Sequence, residues 1–118
     1  MLKLSKKQRF PWAVIETAVF FTLKDDLSYR SVSEKMENIG VKVSHKTVYE
    51  WVHKFADYVT LSRRCLTQYQ IEESYVRCNG ESLFMYRAVN KKMLTLGIFL
   101  RSKRNMGVAE KHFAKIEQ

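Results

Sequence analysis

Proline and glycine are scarce, one and four in 118 residues. That excludes a collagen-like repeat and leaves no Pro/Gly-rich linker of the kind that separates loosely tethered domains. Only two cysteines occur, Cys65 and Cys78, too few for a disulfide framework and without the close pairing of a structural zinc site. The three histidines, His45, His53 and His112, form no His-Glu-x-x-His pattern, and there is no GxGxxG or Walker sequence, so the usual metalloprotease and nucleotide-binding routes have nothing to stand on. Acidic residues are short as well. Twelve Asp and Glu stand against 21 Lys and Arg, a formal net charge of +9 with a sequence pI of about 9.7, a surplus suited to a polyanionic partner.

Long apolar runs are also missing. The stretch from Phe10 to Leu23 follows Lys3, Lys6, Lys7 and Arg9 as a signal peptide would. Yet Glu16 interrupts it, Asp25 and Asp26 follow without a small-residue cleavage pattern, and it falls short of the roughly 20 apolar residues of a membrane helix. The expectation is a soluble cytoplasmic protein, nucleoid-associated in a prokaryote, with no membrane partner. What the chain does have is 46% hydrophobic and 13% aromatic residues, enough for a folded core in one ordinary domain or two very small ones. No internal repeat is visible.

The first half reads as three helices. Pro11 suits a first helical turn, and Val14, Ala18 and Phe21, with Ile15 and Val19 beside them, give a wide apolar face up to Lys24. Ser28 can cap a second helix on which Tyr29, Val32, Met36 and Ile39 recur at helical spacing, and Gly40 supplies its stop. After Val41-Lys42-Val43, Ser44 can cap a third helix with Val48, Trp51, Val52 and Phe55 on its buried face. Two short amphipathic helices around a Gly-containing turn, with a helix before them, outline a helix-turn-helix. The third helix is then the recognition helix, and its opposite face carries His45, Lys46, Tyr49, Glu50, His53 and Lys54. Its capped N-terminus, with Ser44 and Thr47, favours a phosphate. Glu50 repels phosphate unless it accepts from a cytosine amino group. A helical bundle with a solvated basic face would show the same periodicity, so both readings stand on pattern alone. Charge distribution favours DNA: Lys6, Lys7 and Arg9 lie in a basic arm of the sort that follows phosphates or enters a minor groove, and Arg63-Arg64 closes the segment.

From Tyr69 the period changes. Tyr69, Ile71, Tyr75 and Val76 suit a strand ending at Asn79-Gly80, a strong hairpin signal. A second strand is expected from Leu83 to Val89, a turn at Asn90-Lys91-Lys92, and a third strand from Met93 to Leu100. A last helix from Gly107 to Glu117 places Ala109, Phe113 and Ile116 on one side.

The run Leu27-Ser28-Tyr29-Arg30-Ser31-Val32-Ser33-Glu34, followed by Gly40-Val41-Lys42-Val43-Ser44-His45-Lys46-Thr47-Val48-Tyr49-Glu50-Trp51-Val52, resembles the "LSYRDIAE...GVxVxHxTVYRWV" segment of DDE transposases of the insertion-sequence-six family. Ile71-Glu72-Glu73-Ser74-Tyr75-Val76 resembles their "(V/I)DETY(I/V)" strand, and Tyr86-Arg87-Ala88-Val89-Asn90 their "YRAID". The resemblance implies an α+β chain: a trihelical helix-turn-helix domain over residues 1–66, with Arg30 added to the DNA-contacting set, then an incomplete RNase H-like unit of three antiparallel strands and a helix over 67–118. It further implies binding to double-stranded DNA at terminal inverted repeats, with Mg²⁺ as the cofactor of intact family members.

Where the family has its first catalytic Asp this chain has Glu72, the only metal-ligand candidate, and Asn90 replaces the Asp of "YRAID". Two-metal phosphoryl transfer needs several carboxylates converging on ions about 3.5–4 Å apart. The chain, read as truncated, is therefore expected to bind DNA without a cofactor and without cutting it. Two rivals remain open. One is a stand-alone winged-helix regulator. The other is an adaptor or inhibitor that pairs through its sheet with another copy or with a full-length transposase.

Overall fold

The computed structural model describes residues 10–59 and 68–117. Its elements run α1 (Trp12–Lys24), α2 (Tyr29–Ile39), α3 (His45–Phe55), a 3-10 turn (Ala56–Tyr58), β1 (Gln70–Cys78), β2 (Glu81–Val89), β3 (Thr95–Arg101) and α4 (Met106–Glu117). The fold is α+β, a helix-turn-helix unit followed by the strand-strand-strand-helix opening of an RNase H-like unit. Element ends differ from expectation by a residue or two: Pro11 caps α1 instead of starting it, and Met93, at φ 63°, sits in the turn before β3. The basic arm, Arg63, Arg64, Cys65 and the expected boundary after residue 66 fall outside the described residues, as does the side chain of Ile116.

Local chemistry sets the helix-turn-helix. The Ser28 hydroxyl accepts from the Ser31 N–H and the Ser44 hydroxyl from the Thr47 N–H, each at 3.1 Å, satisfying a donor that has no partner inside its helix. α2 stops at Gly40 with φ 109°, a left-handed conformation costly for a residue with a Cβ. There the Gly40 N–H donates to Glu37 O and the Val41 N–H to Met36 O, the paired bonds of a Schellman stop. The Ser33 hydroxyl donates to Val43 O at 2.6 Å, tying the far end of the turn back to α2 before α3 departs.

α1 is buried without a break from Val14 to Phe21, including Glu16 and Thr17. A helix buried on every side needs several partners. α2 and α3 supply Val32, Met36, Val48, Trp51, Val52 and Phe55, and the sheet supplies Leu83, Met85, Ile98 and Leu100, all in one apolar cluster. The helical unit and the sheet thus share a core. The Thr17 hydroxyl is satisfied by Ala13 O at 2.7 Å.

The strands are antiparallel in the order β1-β2-β3, with β1 and β2 in register from Gln70↔Val89 to Cys78↔Glu81 around the Asn79-Gly80 turn. Alternation sends Leu83 and Met85 of β2 to the helical core, and Tyr86 and Ala88 to a second core closed by Ala109 and Phe113 of α4. α4 lies so close to β3 that a Cβ at Gly97 would meet the Phe113 ring at 2.9 Å; any larger residue there would have to displace that ring.

Candidate nucleic-acid interface

The buried face of α3 is anchored by rings as well as aliphatic contacts: Phe10 meets Trp51 edge-on at 5.2 Å and Trp12 meets Phe55 at 5.7 Å. With Val48, Trp51, Val52 and Phe55 inside, the helical period leaves His45, Lys46, Tyr49, Glu50, His53 and Lys54 exposed. His45, Lys46 and Glu50 form no ion pair among the described residues. The Lys54 ammonium lies 5.4 Å from the Phe55 ring centroid, keeping its stem along the helix and its charge at the surface. The Ser44 and Thr47 hydroxyls are 3.0 Å apart, so both serve the helix start, where unpaired N–H groups and the helix dipole favour an anion. Arg30 is exposed in the first turn of α2. Lys6, Lys7, Arg9, Arg63 and Arg64 lie outside the described residues.

A feature that the sequence reading did not single out sits on this face. Tyr29 of α2 meets Tyr49 at 5.3 Å, and Tyr49 meets His53 at 4.0 Å. The spacing of four between Tyr49 and His53 was a readable signal for the second contact. Nothing local announced Tyr29, which lies 20 positions earlier in the chain.

The sheet places Glu72 and Glu73 on opposite faces, as strand alternation requires. Glu72 is exposed and stands opposite Arg87 in the β1–β2 register. The Arg87 guanidinium donates to the Glu16 carboxylate of α1. Burial raises the Glu16 carboxyl above its ordinary pKa, against the pull of Arg87. Glu73 accepts from Arg104 at 3.0 Å, and hydrogen bonds from Arg104 and then Tyr86 hold its carboxyl below the ordinary range. The Tyr86 hydroxyl also accepts from the Asn105 N–H at 2.7 Å, at the start of α4. Asn90, in the place of an Asp, builds the β2–β3 turn: its Oδ1 accepts from the Lys92 and Leu94 N–H groups. Among the described residues no three His, Cys, Asp or Glu side chains come together as a metal site. No helix of the described residues is long and apolar enough to cross a membrane.

A family model for a DDE domain matches residues 66–118. The chain is 34% identical over 103 residues to the transposase for insertion sequence-like element IS431mec of Staphylococcus aureus, covering 83% of this chain and 46% of the relative. The figures are the same for the transposase for insertion sequence element IS257 in transposon Tn4003 of the same organism. An uncharacterized protein, pYV0051, of Yersinia pseudotuberculosis is 40% identical over 43 residues, 36% of this chain and 40% of that one. No solved structure matches. The chain spans about half the length of the transposases it matches. With the helix-turn-helix in front and the DDE match behind it, the chain belongs to the insertion-sequence-six family of DDE transposases.

Proposed function

We propose that this chain binds double-stranded DNA through the exposed face of α3, with terminal inverted repeats as its cognate sites, and does not by itself cut the DNA it binds. The observation that carries the binding reading is the α3 surface: His45, Lys46, Tyr49 and Lys54 stand exposed on a helix whose other face is locked by Trp51 and Phe55. A capped N-terminus and a net charge of +9 add to it. The relatives are named as transposases of insertion sequences, which makes the ends of such an element the DNA to try first; the same reading puts the chain in the cytoplasm, on the nucleoid if its source is a prokaryote. The non-cutting reading rests on Glu72. A divalent cation there would find one exposed carboxylate with the positive guanidinium of Arg87 opposite it in register, bonded to Glu16, so the residues present do not fit a Mg²⁺ pair. Association with a second copy, or with a full-length transposase, is favoured by β1, which has a strand on one side only among the described residues.

The test is a mobility-shift assay of the chain on random-sequence and inverted-repeat duplexes. Both are expected to shift at low salt, the inverted repeat more tightly, and Lys46→Ala is expected to weaken both while leaving the melting temperature unchanged. Absence of any shift at low salt would contradict the reading.

A further inference from the structure

Three aromatic rings gather on the outward side of the helix-turn-helix, and neither core accounts for all of them. Tyr29 opens α2 and is half-buried; Tyr49 lies in the middle of α3 and is 46% exposed; His53 is one turn further on and exposed. The rings of Tyr49 and His53 are 4.0 Å apart and tilted by 36°, and Tyr29 stands edge-on to Tyr49 at 5.3 Å and 88°. His53 Nδ1 is 2.9 Å from Tyr49 O. A carbonyl oxygen only accepts, so Nδ1 carries the proton and the imidazole is pinned against the tyrosine ring. Flanked on two sides, Tyr49 has little rotamer freedom left to lose on meeting a ligand, which favours a defined contact.

Position decides what that contact is. Tyr49 is the fifth of the eleven residues of α3, with Lys46 one turn before it and Lys54 beyond it. Cations on a groove-bound helix reach phosphates, while side chains facing the groove floor meet base edges. The Tyr49 hydroxyl can donate to a phosphate, but its neutral ring gains little there. The ring gains from an apolar group on a base edge, and in the major groove that group is the C5-methyl of thymine. Resting on the reading of α3 as the DNA-binding helix, we propose that Tyr49 is a specificity-determining residue that reads a thymine methyl through its ring, with Tyr29 and His53 as its positioning residues.

The test uses the full chain to select duplexes from a random library, then measures affinity for a selected duplex and for copies in which each thymine in turn is replaced by deoxyuridine, which removes only the methyl. At one position the replacement is expected to weaken binding roughly fourfold, about what burying one methyl-sized group is worth. Tyr49→Phe keeps that ratio at the wild-type melting temperature, and Tyr49→Ala abolishes it in a chain that still folds cooperatively, its melting temperature lowered only by the lost ring contacts with Tyr29 and His53. Tyr29→Ala narrows the ratio while retaining most of the affinity; a purely structural Tyr29 would leave the ratio untouched and would overturn its positioning role. Indifference of the wild type to every replacement, a thymine preference that survives Tyr49→Ala, or its loss in Tyr49→Phe would each overturn the proposal. Failure to bind any duplex would instead overturn the DNA-binding reading, and this inference with it.

Discussion

On α3, His45, Lys46 and Glu50 face outward with no ion-pair partner among the described residues, whereas on the sheet Arg87 is bonded to Glu16 and Glu73 to Arg104. The two regions come from one basic chain and use charge to different ends. Around the sheet, charged groups join elements: Glu16–Arg87 ties α1 to β2, and Glu73, Arg104 and Tyr86 tie β1 and β2 to the start of α4. On α3 no ion pair does the holding: the apolar face, the Ser44 cap and the Tyr29–Tyr49 ring contact fix the helix, and its charged side chains stay at the surface. Substitutions on the sheet should therefore be read in stability, and those on the outer face of α3 in binding.

The sharpest way to break the comparison is within α3 itself. Trp51, 4% exposed and packed on Phe10, is expected to cost about 3–5 kcal/mol of stability when replaced by Ala, measured by denaturant unfolding, while its exposed neighbour Glu50 tolerates Ala with little change. A small loss at Trp51 would mean that the faces are assigned the wrong way round.

Next in size is Arg87. Replacing it by Met leaves the Glu16 carboxylate buried without its partner, and the expected loss is about 3 kcal/mol, the low end for breaking a buried pair because the arginine side chain keeps 22% of its surface exposed. The double variant Glu16→Leu with Arg87→Met should recover most of that loss. If the single substitution is neutral, the pair does not join the two units.

That pair also marks where the sequence stopped being legible. Ser28, Gly40 and Ser44 announced the ends of α2 and α3 because caps and stops act over four or five residues. The Asn79-Gly80 hairpin was legible for the same reason, and the exposed row on α3 followed once Val48, Trp51, Val52 and Phe55 fixed its period. Glu16 stood out as a carboxylate in an apolar stretch, but its partner lies 71 positions away, and no periodicity links them. The start of β3 was missed by two residues because Met93 looks like a strand residue, while Asn90 holds the backbone from Lys92 to Leu94 in a turn. The Tyr29–Tyr49 contact, like the shared core of α1 and the sheet, exists only after the elements have packed.

A smaller effect comes from His112, on α4, whose ring stacks on Phe99 at 4.5 Å. Burial holds it below its ordinary 6.5, with Lys35 and Lys115 adding to the shift and Asp25 opposing it. The folded protein then binds fewer protons than the unfolded chain between that depressed value and 6.5, so stability should fall as pH drops through this window. His112→Gln is expected to flatten the melting temperature against pH there. An unchanged slope would show that the histidine is not the group responsible.

The measurement that bears most directly on the account is the salt dependence of duplex binding by the intact chain, taken beside Lys46→Ala. If about five phosphates are neutralised, the slope of log K against log salt should lie near −4 to −5, and losing one cationic contact should make it shallower by about 1 without moving the melting temperature. A slope near zero, or one that Lys46→Ala leaves unchanged, would contradict the claim that the outer face of α3 is the DNA-binding surface.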